Sequence, residues 1–285
     1  MGARGASAHA HLSPASPRSK PVPKGKETIS SSSLLLLAIR TMKTLVVFDF
    51  DHTLVDDNSD TWVVRSTPDK RLPDWLTSSY ENGRWTEYMG RVLAYIGDQA
   101  IGPDSLREVM ETIPFTDGMV ELLTFIAEHK RDLDCIIISD SNSMFIEWIL
   151  GAAGVQAAVD EVFTNPASID GRGYMVVRCC HSHDCSRCPV NLCKKKALQD
   201  FTDSQGERGV RYQRRCYVGD GRNDLCPVEC LSEDDVAMPR KGYALERLLS
   251  KVAAEDGASF RPRVVGWTSG KEIIAELDAL IGRAG

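Results

Sequence analysis

Residues 44–53 read TLVVFDFDHT, and the expected organisation of the chain follows from this stretch. The run Thr44–Phe48 is β-branched, apolar and aromatic, which predicts a buried β-strand. Two carboxylates, Asp49 and Asp51, come directly after it. Because alternate residues of an extended segment lie on the same side, the two should lie close together and need a cation or a proton between them. An ordinary acidic surface turn is the weaker alternative, since an apolar strand runs straight into the pair.

Similar apolar runs along the chain predict a sheet with helices between its strands. The other predicted strands are Cys135–Ile138, Val159–Thr164, Cys216–Val218, Val236–Met238 and Val264–Trp267. The predicted helices are Met119–Glu128, Ser143–Gly151, Lys194–Thr202, Tyr243–Ala253 and Lys271–Ile281. This alternation predicts the α/β fold class, with a Rossmann-like, doubly wound and mostly parallel sheet. Such sheets bind ligands beyond the carboxyl ends of their strands, so the residues after each strand are the candidate site residues.

The gap between the first two predicted strands is longer than one connection needs. Between Thr53 and Ser139 lie 85 residues, against roughly 30 for a simple strand–helix–strand unit. Residues 60–112 lack strand patterns and are rich in Trp, Tyr and Arg, which predicts an inserted helical cap. The predicted α/β core comprises residues 42–59 and 113–285. A Cys/His-rich insertion, residues 179–193, lies within its second part.

The first 41 residues differ from the rest in composition and charge. They are rich in Ser, Ala, Pro and Gly and carry six basic side chains and one acidic side chain. They therefore contribute +5 to a net charge of −6, which leaves −11 on residues 42–285. An acidic body argues against nucleic-acid binding, which needs clustered Lys and Arg. Residues 1–41 are expected to be a disordered extension or an upstream start ahead of Met42, with a mitochondrial targeting peptide as the alternative.

Neither the apolar runs nor the cysteines indicate a membrane or secreted protein. The longest apolar run, Leu34–Ile39, is far shorter than the ~18 residues of a membrane span. The nine cysteines are an odd number, and no convincing secretory signal precedes them. We expect a cytoplasmic protein that does not contact membranes. The sequence carries no signal for its oligomeric state.

A glycine- and aspartate-rich loop follows the predicted strand Cys216–Val218. It reads GDGRND over Gly219–Asp224. It is not a dinucleotide-binding fingerprint, because Asp224 stands where that motif has its last glycine. An ordinary turn is possible, but this loop and the Asp49/Asp51 pair together bring three or four carboxylates to neighbouring strand ends. Hard oxygen ligands of this kind suit Mg²⁺ with a substrate phosphate.

Two further segments are candidates for binding an anion. Ser139-Asp140-Ser141-Asn142 follows the predicted strand Cys135–Ile138 and could offer a hydroxyl and backbone N–H groups, although by itself it would be a helix N-cap. Lys194-Lys195-Lys196 begins a predicted helix. A run of lysines is usually a solvated face, yet one of the three could point inward onto a phosphate.

Taken together, these loops resemble the haloacid-dehalogenase-type phosphatases. Longer segments, including Phe48–Asp60, Ile137–Asn142, His181–Pro189 and Val236–Tyr243, are similar to the phosphoethanolamine/phosphocholine phosphatase family and closest to its pyridoxal phosphate phosphatase branch. The resemblance covers about 42–277. The family motifs fall, in chain order, on Asp49/Asp51/Thr53, Ser139, Lys194 and Gly219-Asp220 with Asp224.

The resemblance implies a mechanism for these residues. Asp49 would be the nucleophile that forms an aspartyl-phosphate, and Asp51 the general acid for the leaving alkoxide and then the base for water. Mg²⁺ would be held by the Asp49 carboxylate, the Asp51 backbone carbonyl and Asp220. Asp224 would support the site. A carboxylate can attack a phosphate dianion only if charge is neutralised, which agrees with these roles.

The resemblance also implies contacts with the substrate. Ser139 and Lys194 would bind phosphate oxygens, and Asp60 and Asp140 would face the organic part. Extra carboxylates beside an anion site are costly unless the substrate also carries a cation. Aromatic side chains of the predicted cap could stack on a pyridine ring or face an ammonium group, or could be cap core instead. These are Trp62, Trp75, Tyr80, Trp85 and Tyr88.

The predicted function is therefore a Mg²⁺-dependent phosphatase of small phosphomonoesters, with pyridoxal 5′-phosphate as the expected substrate on branch resemblance alone. Phosphoethanolamine or phosphocholine is the alternative. A further alternative is phosphoryl transfer to an acceptor other than water. A non-catalytic, zinc-stabilised binding module is disfavoured, because it would have no need of both Asp49 and Asp51.

A cysteine- and histidine-rich segment, 179–193, contains one further candidate site. The Cys185-x-x-Cys188 spacing is one that structural zinc sites use, but the usual second knuckle pair is absent. A reduced, Cys-rich loop packed beside the sheet is the alternative. The possible Zn²⁺ ligands are His181, His183, Cys185, Cys188 and Cys193.

Overall fold

The computed structural model describes residues 42–256 and 261–282. The expectations for residues 1–41 therefore lie outside the described residues. The strands are β1 Met42–Phe48, β2 Leu133–Asn142, β3 Glu161–Asn165, β4 Ala167–Ile169, β5 Met175–Val177, β6 Arg211–Gly219, β7 Val236–Pro239 and β8 Arg263–Val264. The α-helices are α1 Ser59–Trp62, α2 Asp74–Thr77, α3 Trp85–Asp98, α4 Pro103–Met110, α5 Met119–Glu128, α6 Ser143–Ala153, α7 Lys194–Glu207, α8 Leu225–Val228, α9 Ala244–Asp256 and α10 Gly270–Gly282.

Six of the strands form one parallel sheet in the order β3-β2-β1-β6-β7-β8. The strand order reverses at β1, which is the doubly wound arrangement, and the predicted fold class is confirmed. Side chains from both faces of β1 are fully buried, which explains its uninterrupted apolar sequence. Val46 and Phe48 belong to the larger hydrophobic core, whereas Leu45 and Val47 belong to the core on the other face.

The register of the central strands brings the predicted site loops to one level. Phe48 at the end of β1 pairs with Ile137 of β2 on one side and with Val218 of β6 on the other. The residues that follow on all three strands therefore meet at the carboxyl edge of the sheet. This is where strand order reverses, and sheets of this kind bind ligands at that point.

The range 59–110 contains the four helices α1–α4 and, within the described residues, no strand of a sheet. A small antiparallel hairpin of β4 and β5, which the sequence analysis missed, packs against α3. The Tyr174 ring lies so close to Gly97 of α3 that a side chain there would overlap it. The Tyr174 hydroxyl donates to Asp98 Oδ1 at 2.9 Å. The hairpin therefore ties the longest helix of this range to the core.

Several strand boundaries differ from the prediction, most clearly those of β2 and β8. β2 continues through Asn142, so the segment Ser139–Asn142 is extended rather than looped. β8 covers only Arg263–Val264, and Trp267 forms a single bridge with Arg240. Among the described helices, none combines the length and apolarity that a membrane crossing requires.

The start of α10 packs tightly against the start of α5, and this contact predicts a sharp effect of substitution. The Gly270 N–H donates to the Asp117 carbonyl at 2.8 Å, and a Cβ at Gly270 would overlap the backbone of Gly118. We expect Gly270→Ala to lower the free energy of unfolding by about 1–3 kcal/mol, the usual cost of overpacking. Thermal unfolding followed by circular dichroism measures the change.

The matched control is Gly90→Ala inside α3, where an added Cβ meets nothing within 4 Å. Replacing a helix-interior glycine by alanine there should leave the melting temperature unchanged or raise it. Equal melting temperatures for the two variants would contradict the close packing of α10 on α5.

Candidate active site

A buried lysine lies between two buried carboxylates at the carboxyl edge of the sheet. Lys194 is the first residue of α7, and its Nζ lies 2.7 Å from Asp49 Oδ2 and 2.8 Å from Asp224 Oδ1. Burial by itself would lower the pKa of Lys194, but the carboxylates of Asp224 and Asp49 outweigh it and raise that pKa above its usual value. The lysine is therefore held as a fixed positive charge.

The structure distinguishes the three consecutive lysines. The Lys194 side chain is only 1% exposed. Lys195 is half-buried, and Lys196 is exposed, where it pairs with Asp200 one helical turn away at 2.7 Å. The run thus combines a solvated face with one lysine that points into the site, the second possibility that the sequence left open.

Each carboxylate oxygen of Asp224 accepts two hydrogen bonds. Oδ1 accepts from Lys194 and from the Tyr217 hydroxyl at 2.8 Å. Oδ2 accepts from the backbone N–H groups of Asp220 at 3.1 Å and Gly221 at 2.8 Å. A Cβ at Gly219 would lie 2.5 Å from Oδ2, so only glycine leaves room for this arrangement. Asp224 therefore shapes the loop and holds Lys194. The sequence analysis missed Tyr217, although a hydroxyl in a buried strand directly before this loop was a usable signal.

Asp49, Asp220 and Asp224 together form a carboxylate cluster, with oxygens within 4.8 Å of one another. Burial, then the Asp224 carboxylate, raises the pKa of Asp49 well above its usual value and that of Asp220 to about 7. Asp220 receives only a long hydrogen bond, 3.4 Å from the Thr53 hydroxyl. Three carboxylates facing one lysine leave an excess of two negative charges when all are ionised. The cluster therefore fits a hard divalent cation such as Mg²⁺.

Asp51 lies beside this cluster with its carboxylate held by the start of α1. Oδ1 accepts from the Ser59 backbone N–H at 2.9 Å, and Oδ2 accepts from Asn58 Nδ2 at 3.1 Å. Burial raises the pKa of Asp51 to about 6, although the Ser59 N–H lowers it. A carboxyl group with such a pKa can both donate and accept a proton near neutral pH.

Asp60 is buried in α1 and contacts an aromatic cluster. Its Oδ2 accepts from Trp85 Nε1 at 2.7 Å. Burial, followed by the nearby Asp51 carboxylate, raises the pKa of Asp60 to about 7. The rings of Tyr80, Trp85 and Tyr88 contact one another with centroids 5.4–5.6 Å apart. Asp60 and three of the predicted aromatic residues therefore form one connected group of side chains.

Asp140 and Ser139 are held by the neighbouring loops. The amides of Asn191 and Asn223 donate to the two oxygens of Asp140 at 2.8 Å and 2.6 Å. The buried Ser139 hydroxyl accepts from the Ser141 backbone N–H at 3.1 Å. The N-cap of α6 is Asn142, not either of these residues. Asp140 therefore joins the Cys/His-rich segment to the Gly219–Asp224 loop, a role that the sequence did not indicate.

The structure changes the set of residues expected to hold zinc. The sulfur atoms of Cys185, Cys188, Cys193 and Cys226 lie within 4.8 Å of one another. Cys226 comes from α8 and was not among the predicted ligands.

The two predicted histidines are not part of this cysteine cluster. His183 Nδ1 accepts from the Cys185 N–H at 3.2 Å, and its Nε2 lies 2.7 Å from the Pro189 carbonyl oxygen. His181 Nε2 accepts from the Cys193 N–H at 3.1 Å. Each ring uses its one acceptor nitrogen on the backbone, so neither neutral histidine has a lone pair left for a metal.

Arg240 is a further residue of the site that sequence reasoning missed. Its Nη1 donates to the His52 carbonyl at 2.6 Å and its Nη2 to Asp56 Oδ1 at 2.6 Å. His52 has a φ of 55°, a backbone conformation that non-glycine residues rarely adopt. The bond from Arg240 to the His52 carbonyl holds the loop after Asp51 in this conformation. Its guanidinium also lies over the Tyr243 ring.

Comparison with known proteins agrees with this geometry. Residues 44–281 match the model of a protein family described as "Putative Phosphatase". The chain belongs to this phosphatase family. The pyridoxal phosphate phosphatase PHOSPHO2 of Rattus norvegicus is 52% identical over 240 residues, which cover 84% of this chain and 99% of the relative. The phosphoethanolamine/phosphocholine phosphatase of Homo sapiens is 40% identical over 237 residues, 83% of this chain and 89% of the relative.

Two solved structures share the fold. A substrate-bound phosphoserine phosphatase complex superposes with a TM-score of 0.53 at 14% identity and covers 82% of this chain and 98% of that one. Cytosolic 5′-nucleotidase IIIB bound to cytidine superposes with a TM-score of 0.52 at 13% identity, and the match covers 87% of each chain. The family resemblance drawn from the motifs is confirmed by the family model and by the two relatives, and the chain is a phosphatase, which is a hydrolase.

The buried position of Lys194 predicts that it alone of the three lysines matters for activity. We expect Lys194→Met to reduce kcat/KM by about 10²–10³-fold, the usual effect of losing one charge-stabilising donor. The control, Lys196→Met, should keep nearly full activity, because that side chain is exposed. Steady-state hydrolysis of p-nitrophenyl phosphate, with circular dichroism to verify folding, makes the comparison. Similar losses in the two variants would rule out a special role for Lys194.

Proposed function

We propose that this chain hydrolyses pyridoxal 5′-phosphate to pyridoxal and inorganic phosphate in a Mg²⁺-dependent reaction, with Asp49 as nucleophile. The observation that carries the proposal is the Asp49 carboxylate, held 2.7 Å from the buried Lys194 beside two further carboxylates. The choice of substrate is supported by relatives 50–52% identical, four of which are named pyridoxal phosphate phosphatase.

The proposed reaction begins at Asp49. Its Oδ1 accepts from the Phe50 N–H at 2.6 Å, which fixes the orientation of the carboxylate at the end of β1. One carboxylate oxygen attacks phosphorus, an aspartyl-phosphate forms, and the bond to the alkoxide breaks. Water then attacks phosphorus, which releases phosphate and restores Asp49. Lys194 neutralises charge as the phosphate approaches the anionic cluster.

The residues for Mg²⁺ would be the carboxylates of Asp49 and Asp220 with the backbone carbonyl of Asp51. Asp224 is unsuited to direct ligation, because its oxygens already accept from Lys194, Tyr217 and two backbone N–H groups. When bound, the ion would neutralise the excess negative charge of the cluster and let a dianionic phosphate approach.

Asp51 would move the protons of both steps. The Ser59 N–H and the Asn58 amide hold its carboxylate in place, two residues after Asp49 in the chain. In the first step it would give a proton to the leaving alkoxide oxygen, and in the second it would take one from the attacking water. This double use explains the need for a second carboxylate that does not itself attack phosphorus.

Asp60 and the aromatic cluster of Tyr80, Trp85 and Tyr88 would recognise the organic part of the substrate. A buried carboxylate so close to Asp51 gains stability when a cation lies against it. The pyridine ring of pyridoxal phosphate offers a ring nitrogen that can carry a proton and a flat face for the aromatic side chains.

Phosphoethanolamine or phosphocholine is the second candidate substrate. The buried carboxylate of Asp60 would also suit an ammonium group, whereas both oxygens of Asp140 already accept from Asn191 and Asn223. Relatives 39–40% identical to this chain are named phosphoethanolamine/phosphocholine phosphatase.

Phosphate release from a panel of substrates tests the proposal. With Mg²⁺ present, kcat/KM should be highest for pyridoxal phosphate among pyridoxal phosphate, phosphoethanolamine, phosphocholine and phosphoserine. EDTA should abolish turnover and added Mg²⁺ should restore it. A clear preference for phosphoethanolamine or phosphocholine would select the second candidate. Phosphorylated product formed from an added alcohol, in place of free phosphate, would instead indicate transfer to that acceptor.

The proposed nucleophile makes a separate prediction. Asp49→Asn should fold normally and show no turnover, because an amide cannot attack phosphorus. Acid quenching of the wild-type reaction with ³²P-labelled substrate should trap labelled protein, and the variant should trap none. Substantial steady-state hydrolysis by Asp49→Asn would remove Asp49 from the nucleophile role.

The proposed proton transfer predicts a dependence on the leaving group. Asp51→Asn should slow hydrolysis of pyridoxal phosphate by about 10²–10⁴-fold, the usual contribution of general acid catalysis. It should slow formation of the phosphoenzyme from an activated aryl phosphate less, because that leaving group needs no proton. Rapid-quench measurement of this first step with both substrates gives the ratio. Equal losses would count against Asp51 as the acid.

The role proposed for Asp60 predicts a change in selectivity. Asp60→Asn should lower kcat/KM for pyridoxal phosphate relative to glycerol phosphate, whose organic part carries no charge, by roughly tenfold or more, since a charge-assisted contact is worth ~1.5–3 kcal/mol. The control is Asp74→Asn on the exposed start of α2, which should leave the ratio unchanged. A constant ratio in both variants would leave selectivity to the aromatic side chains.

A further inference from the structure

The cysteine cluster joins two segments that are far apart in the sequence. Cys185, Cys188 and Cys193 come from the Cys/His-rich segment, and Cys226 comes from α8. All nine cysteines of the chain lie within the described residues, and none forms a disulfide. We propose that these four thiolates bind a structural Zn²⁺, which connects the two segments that carry Lys194 and Asp224.

The sulfur–sulfur distances suit a tetrahedral zinc site. The Cys185 and Cys226 sulfurs are 3.9 Å apart, and those of Cys188 and Cys193 are 3.6 Å apart. Four sulfurs at a Zn–S distance of ~2.3 Å occupy the corners of a tetrahedron with edges of about 3.8 Å. Disulfide sulfurs would lie about 2.05 Å apart, so these pairs are not placed as disulfides.

The charges around the cluster also suit a metal bound by four thiolates. Such a site carries a net charge of −2, from one Zn²⁺ and four thiolates. Arg187 lies between Cys185 and Cys188 in the sequence, and Lys195 follows Cys193 by two positions. The Arg187 guanidinium forms an ion pair with Glu229, three residues after Cys226, at 2.5 Å. The segment that carries three of the four sulfurs therefore also carries basic side chains.

The position of the cluster relates it to the phosphatase site. Cys193 directly precedes Lys194, and Cys226 lies two residues after Asp224. The Lys194–Asp224 ion pair, 2.8 Å long, thus spans the same two segments that the zinc would hold. Asn191, also in the Cys/His-rich segment, donates to Asp140. The zinc ion would therefore position Lys194 without touching the substrate. This positioning role rests on the proposed function of Lys194, whereas the binding of zinc is independent of that function.

Metal analysis of the purified full chain tests the binding site directly. We expect about one Zn²⁺ per chain after extensive dialysis against Mg²⁺-containing buffer, and stepwise release of zinc as a mercurial reagent modifies the thiols. Protein grown with Co²⁺ should show intense sulfur-to-metal charge-transfer bands and the visible bands of a tetrahedral site. A cation at the carboxylate cluster cannot give charge transfer from sulfur. Zinc-free protein without such bands would overturn the proposal.

Cysteine variants test the ligand set. Cys226→Ser should lose most of the zinc and the cobalt charge-transfer intensity of a four-sulfur site, and its melting temperature should fall. The matched control is Cys179→Ser, because Cys179 is exposed and outside the cluster. The control should retain about one zinc per chain. If Cys226→Ser does not fold, the cobalt spectrum and thiol titration of the wild type still decide the question. Full zinc in a folded Cys226→Ser variant would exclude Cys226 as a ligand.

The positioning role needs its own measurement. At saturating Mg²⁺, the inhibition constant for inorganic phosphate should rise about tenfold or more in Cys226→Ser and stay unchanged in Cys179→Ser, since outer supports of a site typically contribute 10–100-fold. An unchanged phosphate affinity in zinc-free protein would overturn the link to Lys194 while leaving the zinc site in place. Failure of Asp49→Asn to abolish turnover would instead refute the proposed function and leave the metal analysis unaffected.

Discussion

The buried ion pair of Lys194 with Asp49 and Asp224 is the interaction on which the rest of the site depends. Charges in a protein interior are tolerated only when they are paired and hydrogen-bonded. The elements around this lysine supply that pairing. β1 delivers Asp49 at the level of Val218 on β6, the loop after β6 turns Asp224 back toward the lysine, and Gly219 leaves the space for it. The remaining negative charge is the reason that a divalent cation fits the cluster.

The loops of the site are held by contacts from outside it. Arg240 holds the loop after Asp51, which adopts a strained conformation at His52. Asp140 connects Asn191 with Asn223. These contacts come from segments distant in the sequence, so the geometry of the carboxylates is set by the whole carboxyl edge of the sheet. With the proposed zinc, the chain would have separate metals for chemistry and for support.

In the proposed mechanism, substrate selectivity has a different physical basis from catalysis. The carboxylate cluster would bind phosphate, which all candidate substrates share. Discrimination would then depend on α1 and α3, where Asp60 accepts from Trp85 beside a group of aromatic rings. The hairpin of β4 and β5 braces α3 through Tyr174, so the position of these side chains depends on the core as well.

The sequence by itself determined the sheet and the motifs at its strand ends, because buried strands are apolar runs and the motifs follow them directly. Asp49, Ser139 and Asp220 could be placed at one edge on that basis. The residue types alone left three lysines open and the motif resemblance selected Lys194, but only the tertiary structure showed that this side chain is buried while Lys196 is exposed. It also brought Cys226 to Cys185, 41 residues away, and left His181 and His183 on backbone groups. Such contacts depend on how segments far apart in the sequence pack together, and a local pattern of residues does not encode that packing.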